Sequence, residues 1–317
     1  MAIKDLRLEA LKRFSIAITV LNVAGHLFLG FEQSWVQPLT ALATAYVLEI
    51  VFECLNSWIL DSSPRFLGSF TRLVHFLMPA HITGLAVSML LFTNETFYPV
   101  VFATAAAILS KYLLRVNIHG HKKHFLNPSN TGIAITLVLF PWIGIAPPYQ
   151  FTENITGYGD WLLPLVFIGV GSFLNARLTK RIVLIASWFV GFAMQAILRS
   201  VFSETSVYAA LNPFTGVAFL LFSFYMISDP ATTPMNRRNQ VVFGLSIAGV
   251  YGLLVAMGVV FGQFFALFIV CMVRGIYLAV RSHRRVEKPE RQAQIIFPRA
   301  FEINLKRKIL SSKNQNV

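Results

Sequence analysis

The chain has 317 residues, of which 56% are hydrophobic, 14% are aromatic and only 13% are charged. This balance excludes an ordinary soluble domain and predicts an all-α polytopic membrane protein. The formal net charge of +13 is concentrated between hydrophobic segments. We interpret it as a topology signal with attraction to anionic lipid, and not as a nucleic-acid-binding surface.

Apolar segments recur along the chain up to residue 280, each near the roughly 20 residues that a helix needs to cross the hydrocarbon core. We predict about ten transmembrane helices, at residues 14–31, 36–53, 73–92, 97–114, 129–147, 161–176, 182–202, 209–228, 240–259 and 262–280. Residues 1–280 are therefore predicted to form a single transmembrane domain. Residues 281–317 are predicted to form a basic cytoplasmic C-terminal tail.

Basic residues precede the first span and follow every even-numbered span that we predict. They are Lys4, Arg7, Lys12, Arg13, Arg65, Arg72, Lys111, Arg115, Lys122, Lys123, Arg177, Lys180, Arg181, Arg237, Arg238, Arg281, Arg284 and Arg285. The opposite loops at 31–36, 93–97 and 147–160 contain acids but no Lys or Arg. Short cytoplasmic loops retain positive charge, so both termini are predicted to be cytoplasmic, in an inner (cytoplasmic) membrane.

A polar helix start lies directly before the fifth apolar run, at Asn127-Pro128-Ser129-Asn130-Thr131-Gly132. Asn127 can act as the N-cap, and Pro128 can occupy the first helical position, where its missing N–H costs nothing. The first-turn amides would then attract an anionic or carbonyl-rich ligand. A plain N-cap without a ligand explains the same residues and is the more frequent case.

This helix start is echoed three spans later. Residues 127–134 and residues 212–218 both begin with Asn-Pro and both continue with Thr-Gly. Because an odd displacement inverts the orientation of a helix, the two copies predict an inverted internal repeat whose helix breaks converge on a central site. Chance repetition of short turn signals is the alternative.

The eighth span ends in Ser228-Asp229-Pro230-Ala231-Thr232-Thr233-Pro234, on the same side as Asn127. Two prolines and an acid interrupt the helix at this point. Non-helical backbone near membrane depth is tolerated where protein or a cavity satisfies it, which predicts a polar partner for this segment. A simple loop after a helix end is an equally good interpretation.

Together these residues resemble the RnfD/NqrB family of membrane flavoprotein electron-transport subunits, and especially the stand-alone relatives associated with enediyne biosynthesis. The resemblance covers roughly residues 100–280. It depends on His124 to Pro128 with Thr131-Gly132, on Phe140-Pro141, and on the segment from Phe214 to Pro234. The family fold, which resembles that of urea channels, also has about ten spans with cytoplasmic termini.

The resemblance implies a noncovalent flavin, riboflavin or FMN, near the Asn127 motif on the cytoplasmic side. Asn127 matches a flavin-contacting asparagine of the family, whereas His124 stands where the family often has a second Asn. The residues predicted to bind the flavin are His124, Asn127, Ser129, Asn130, Thr131, Asp229, Thr232 and Thr233. A redox partner protein is implied as well, and a homo-oligomer is left open.

One family feature is missing. The family joins a second FMN through a phosphoester to the Thr of a Ser-Gly-Ala-Thr motif in the outward loop after this span. No Ser-Gly-Ala-Thr sequence occurs in the chain. Covalent FMN attachment is therefore not expected.

Several ionisable residues are predicted to lie within spans, where they are functional candidates by default. They include His26, His75 and His81, and Glu49, which could line a cation path. His75 and His81 are six residues apart on one predicted helix, so they lie on different faces and do not suit a haem. Among His119, His121 and His124, a solvated basic loop is favoured over a metal site, and no metal is predicted.

Two functions of different class remain. The first is an electron-transfer subunit, an oxidoreductase component that moves electrons between a cytoplasmic donor and a partner or quinone. The second is a transporter or channel for a small molecule or ion, since inverted repeats with broken helices also form substrate pathways. The sequence identifies no catalytic residues for either function.

Overall fold

The computed structural model describes residues 6–94, 96–118, 121–147, 151–202 and 206–296, and most of these residues are helical. The α-helices are α1 Leu6–Ala24, α2 Val36–Ile59, α3 Phe70–Leu90, α4 Tyr98–Leu113, α5 Pro128–Leu139, α6 Gly159–Leu174, α7 Ile182–Phe202, α8 Val207–Leu211, α9 Val217–Leu221, α10 Arg237–Ala256 and α11 Gly262–Ile296. Short strands β1 Leu91–Phe92 and β4 Gly144–Ile145 pair antiparallel, and β2 Arg115–Ile118 pairs with β3 His121–His124.

Three helices continue into a five-residue π-helical turn. These turns are Gly25–Leu29 after α1, Asn175–Thr179 after α6 and Phe222–Met226 after α9. Such wide turns expose backbone groups that an α-helix would pair internally, and they are frequent at functional sites.

Among the described residues, six helices are long and apolar enough to cross a membrane, and a bent pair makes a seventh candidate. The six are α2, α3, α6 with its π-helical turn, α7, α10 and the first part of α11. The bent pair joins residues 207–215 to residues 217–226 at an angle of 68°. These helices confirm the prediction of an all-α, multi-pass membrane protein.

Each of the ten predicted apolar segments overlaps a helix or the bent pair. Three of the segments, however, correspond to α1, α4 and α5, which are not among the long apolar helices. The helix α1 begins with a charged segment that includes Lys12 and Arg13, whereas α4 has 16 residues and α5 has 12. A 12-residue helix is about 18 Å long, well short of the hydrocarbon core.

The predicted fifth span was wrong in its length. It was expected to continue to residue 147, but α5 ends at Leu139, and Phe140 has a non-helical conformation with φ −123° and ψ 80°. The cause is Pro141, because a residue that precedes proline is pushed out of the α region. Residues 140–147 instead form a turn and the strand β4.

Small residues allow the helices of the candidate site to approach closely. Gly132 of α5 lies so near α4 that an added Cβ would overlap the carbonyl oxygen of Ala103. In the second half of the chain, Gly244 of α10 lies against the backbone of α7 at Leu184 and Trp188 in the same way. Small residues at helix contacts are typical of membrane proteins, where van der Waals packing drives association.

The described residues divide into two compact units. The first runs up to Arg115 and from His124 to Met272, and it contains every predicted flavin-binding residue. The second contains Val116–Lys123 and the chain from Val273 onwards. The helix α11 continues through the predicted start of the tail at Arg281 to Ile296, and the predicted tail beyond it lies outside the described residues.

Candidate functional site

Asn127 caps α5, as the sequence predicted. Its backbone is extended (φ −67°, ψ 120°), and its side-chain Oδ1 accepts the N–H of Asn130 at 3.0 Å and the hydroxyl of Ser129 at 3.0 Å. Pro128 occupies the first helical position. The N-cap prediction for Asn127 is therefore confirmed.

The backbone carbonyl of Asn127 also accepts hydrogen bonds. It accepts the N–H of Thr131 at 2.9 Å and the hydroxyl of Thr131 at 2.7 Å. The backbone N–H of Asn130 is therefore bonded to the cap. From the sequence, this first-turn amide was expected to face a ligand. Ser129 keeps a first-turn amide that the cap does not use.

The side-chain amide of Asn127 joins α5 to the end of the bent helix pair. Its Nδ2 donates to the carbonyl of Met226 at 3.0 Å, and the side chain is only 6% exposed. Met226 is the last residue of the π-helical turn after α9 and lies three positions before Asp229. The structure therefore brings the Asn127 helix start to the beginning of the predicted break.

Asn130 makes a second connection, to the start of α11. Its Nδ2 donates to the carbonyl of Phe264 at 3.0 Å, and the residue is 1% exposed. Its Oδ1 is buried and accepts no hydrogen bond from any described residue. We call the meeting point of Asn127, Asn130, Met226 and Phe264 the Asn127 junction.

The backbone carbonyls at the end of α9 are satisfied by asparagines. Phe224 accepts the Nδ2 of Asn175 at 2.8 Å, just as Met226 accepts that of Asn127. The indole N–H of the fully buried Trp188 donates to Ser223 in the same turn at 2.9 Å. These bonds allow a wide, non-α turn to be buried without orphaned carbonyls.

The break after α9 is a compact turn built around Asp229. Its carboxylate accepts the N–H of Ala231 at 3.0 Å and the hydroxyl of Thr232 at 3.1 Å, and its carbonyl accepts the hydroxyl of Thr233 at 2.6 Å. Thr232, Thr233 and Pro234 are buried. The predicted residues Asp229, Thr232 and Thr233 therefore lie together.

Arg181 is the polar partner of this break. It is fully buried, and its Nε donates to Thr233 Oγ1 at 2.7 Å while Nη1 and Nη2 donate to the carbonyls of Thr179 (3.0 Å) and Pro230 (3.4 Å). The sequence pattern indicated a topology charge at Arg181 and did not predict this role. No local sequence signal indicates this role, because the partners Thr233 and Pro230 lie 52 and 49 residues later in the chain.

The remaining predicted site residue is His124, which is half-buried at the end of β3. It lies three residues before Asn127 in the chain. Its neighbour in the histidine cluster, His119, lies outside the described residues. Within the part of the chain that the structure describes, no group of three or more His, Cys, Asp or Glu side chains is placed to hold a metal ion.

The second Asn-Pro pair differs from the first. It was predicted to open a span, but Asn212 begins a 3-10 turn, Asn212–Thr215, inside the bent pair, and its side chain caps no helix. The helix α8 precedes this turn, and α9 begins after it at Val217. The bend follows this turn at Gly216, whose backbone is extended (φ −81°, ψ 130°).

Intramembrane acids are paired with bases on neighbouring segments. Glu49 Oε2 lies 2.7 Å from Lys111 Nζ, with both side chains nearly buried. The buried Glu53 accepts three hydrogen bonds from Arg65, two of them from the guanidinium, and the shortest is 2.5 Å. The hydrogen bond to the Glu53 carboxylate raises the pKa of the Arg65 guanidinium.

Neither the known protein-family models nor the curated proteins contain a match to this chain.

Proposed function

We propose that the chain is an integral-membrane electron-transfer protein that holds a noncovalent flavin, riboflavin or FMN, at the Asn127 junction. A bound flavin would supply the electron-transfer chemistry, while the protein sets its position and electrostatics. The acceptor is a partner protein or a quinone, and the donor is cytoplasmic. The proposal adopts the resemblance to the RnfD/NqrB family.

The observation that carries the proposal is the unpaired Oδ1 of Asn130. A buried acceptor without a partner costs about 1–3 kcal/mol, so a native fold seldom keeps one without a reason. The uracil-like edge of a flavin ring presents an N–H between two carbonyls. Asn130 Oδ1 can accept that N–H, and the Ser129 amide can donate to an adjacent carbonyl.

The other predicted residues fit a supporting role. The polar atoms of Asn127 and Thr131 bond the start of α5 and the carbonyl of Met226, and those of Asp229 and Thr233 bond the turn after α9. In this proposal Asn130 and Ser129 contact the flavin, whereas Asn127 and Arg181 fix the two backbone segments that surround it. His124, which is half-buried, lies three residues before the N-cap of α5, and in this proposal its imidazole is adjacent to the flavin.

We also infer ten membrane crossings with an inverted repeat whose displacement is five helices, in place of the three spans that separate the two Asn-Pro pairs. The helices α1 and α6, five apart in chain order, both end in a π-helical turn closed by a left-handed residue, Gly30 and Lys180 respectively. In both cases the next residue, Phe31 or Arg181, donates its N–H to the first carbonyl of that turn. An odd displacement inverts the orientation, as an inverted repeat requires.

The alternative is a transporter or channel on the same fold. The observation that favours it is the bend of 68° between the two parts of the eighth span, since discontinuous helices line substrate pathways. A bound flavin separates the two functions, because a channel needs no chromophore.

The test is to purify the protein in detergent, add riboflavin or FMN, remove the excess and record the flavin absorbance. We expect roughly one flavin per chain, released completely by acid or organic solvent because the covalent attachment motif is missing. A fluorescent flavin band that survives denaturing electrophoresis would contradict noncovalent binding. Failure to retain either flavin would refute the proposed function.

A further inference from the structure

One face of α1 carries a polar stripe through an otherwise apolar segment. Ser15, Thr19, Asn22 and His26 recur at intervals of four, three and four residues, so they share a single helical face. We call these residues the α1 stripe. The residues that follow them, Ile16, Val20, Val23 and Leu27, are apolar and exposed. The helix therefore directs its polar side towards the protein and apolar side chains towards lipid.

Three atoms of the α1 stripe are buried without a hydrogen-bond partner among the described residues. They are Ser15 Oγ, Asn22 Oδ1 and His26 Nε2, and Asn22 is only 5% exposed. His26 Nδ1 lies 2.8 Å from the carbonyl of Asn22, so Nδ1 carries a proton, and in a neutral ring Nε2 then presents a lone pair. Buried acceptors of this kind are normally satisfied by ordered water.

His81 connects the α1 stripe to α2 through two short hydrogen bonds. Its Nε2 lies 2.7 Å from Thr19 Oγ1, and its Nδ1 lies 2.6 Å from the hydroxyl of Tyr46. Thr19 gives its hydroxyl proton to the carbonyl of Ser15 at 2.7 Å, so towards His81 it can act as an acceptor. For a neutral ring, Nε2 therefore carries the proton and Nδ1 accepts the O–H of Tyr46.

The polar side chains continue along α2. Tyr46, Glu49 and Glu53 are spaced by three and four residues on one helical face. Glu49 is paired with Lys111, and Glu53 with Arg65, whose side chain is 65% exposed. The run from Tyr46 to Glu53 and that from Thr19 to His26 are each about 10 Å long. Placed end to end, the two runs would extend across roughly two thirds of the thickness of the hydrocarbon core.

We propose that α1, α2 and α3 form a hydrated proton path with His81 as its relay. A proton delivered to Nδ1 from the Tyr46 side is matched by the release of the Nε2 proton towards Thr19 and the α1 stripe. The ring ends in its other neutral tautomer, and a ring flip that exchanges the positions of the two nitrogens resets it for the next proton. No oxidant or reductant takes part. This activity does not depend on the flavin, since it uses none of the residues at the Asn127 junction.

The experiment reconstitutes the full chain into liposomes that contain a pH-sensitive dye, with a potassium gradient and valinomycin to drive proton entry. We expect flux above that of protein-free liposomes. His81→Phe should lower it at least tenfold, and the nearly isosteric Tyr46→Phe and Thr19→Val should each lower it severalfold. His75→Phe, six residues earlier on the same helix, is the matched control and should conduct like the wild type.

Nitrogen-15 NMR of the histidine rings gives a readout that does not require transport. We expect a neutral ring protonated at Nε2 for the His81 signal, identified by its loss in His81→Phe, and a shifted signal in Thr19→Val. Wild-type flux no greater than that of empty liposomes would overturn the proposal. So would equal flux in His81→Phe and His75→Phe, or a His81 ring protonated at Nδ1 alone.

Discussion

At the residue scale, the chemistry of single side chains decides which parts of the predicted site are open to a ligand. The Asn-Pro pattern correctly predicted the N-cap at Asn127, because a short polar side chain before proline has few other uses at a helix start. The pattern could not show that the same side chain also reaches Met226, 99 residues later in the chain. Such a contact is fixed by tertiary packing and leaves no local signature.

At Arg181 the sequence-based interpretation itself was wrong. Its position after a predicted span led to its interpretation as a loop charge, yet the guanidinium is fully buried and holds the turn after α9. Charge counting treats every basic residue near a helix end as solvated. Arg181 differs from its exposed neighbour Lys180 through its contacts with Thr233 and Pro230, which lie about 50 residues later and leave no local signature.

We expect Arg181→Met to lower the thermal stability of the purified protein. The change removes the donors to Thr233 Oγ1 and to the carbonyls of Thr179 and Pro230. Leaving a buried acceptor unpaired costs about 1–3 kcal/mol, so a loss of several kcal/mol is expected. The measurement is the apparent Tm in detergent by tryptophan fluorescence. Arg177→Met, which removes an exposed charge four residues earlier, is the control, and equal melting temperatures would contradict the role of Arg181.

At the element scale, the sequence predicted where helices lie better than where they end. All ten apolar segments overlap helical elements, because hydrophobic length is a strong signal. The end of α5 was placed eight residues too late, since Pro141 breaks a run that remains apolar beyond it. The π-helical turns could not be predicted, because they depend on partners such as Asn175 and Asn127 that satisfy the widened backbone.

The contact between α4 and α5 makes a second prediction. Gly132→Ala should destabilise the protein, because the added methyl group would overlap the Ala103 carbonyl and force the two helices apart. Overpacking of this kind costs typically about 1–3 kcal/mol. In contrast, Gly169→Ala in α6 meets open space and should be neutral or stabilising by up to about 1 kcal/mol. Thermal unfolding of the two variants in the same detergent checks this, and an unchanged Tm for Gly132→Ala would show that the helices can separate at no cost.

At the scale of the whole molecule, composition and charge predicted a multi-pass membrane protein, and the long apolar helices confirm it. The predicted number of crossings is not confirmed: among the described residues six helices, or seven candidates with the bent pair, are long and apolar enough to cross, and α4 and α5 are shorter. Helices that are shorter than the hydrocarbon core can still belong to a crossing when protein covers their ends. The count of ten and the sidedness therefore rest on the alternation of basic and acidic loops.

Topology mapping tests that alternation directly. We expect a tag at residue 154 to be reachable from outside intact cells, and tags at residues 121 and 317 to be reachable only from the cytoplasm, because the basic loops face inwards. The measurement is labelling by a membrane-impermeant reagent before and after permeabilisation. Cytoplasmic labelling at residue 154 would overturn both the orientation and the inverted repeat.

The central claim is that a flavin binds at the Asn127 junction, and flavin stoichiometry in matched variants tests it most directly. Asn130→Leu removes the unpaired acceptor, and Asn127→Leu removes the cap that positions it, so each should weaken flavin binding by roughly 5- to 150-fold, the equivalent of about 1–3 kcal/mol. Asn212→Leu changes an exposed asparagine of the other Asn-Pro pair and should bind flavin like the wild type. All three are compared as monodisperse preparations. Equal flavin retention in Asn130→Leu, Asn127→Leu and Asn212→Leu would contradict the claim and leave Asn127 as a capping residue alone.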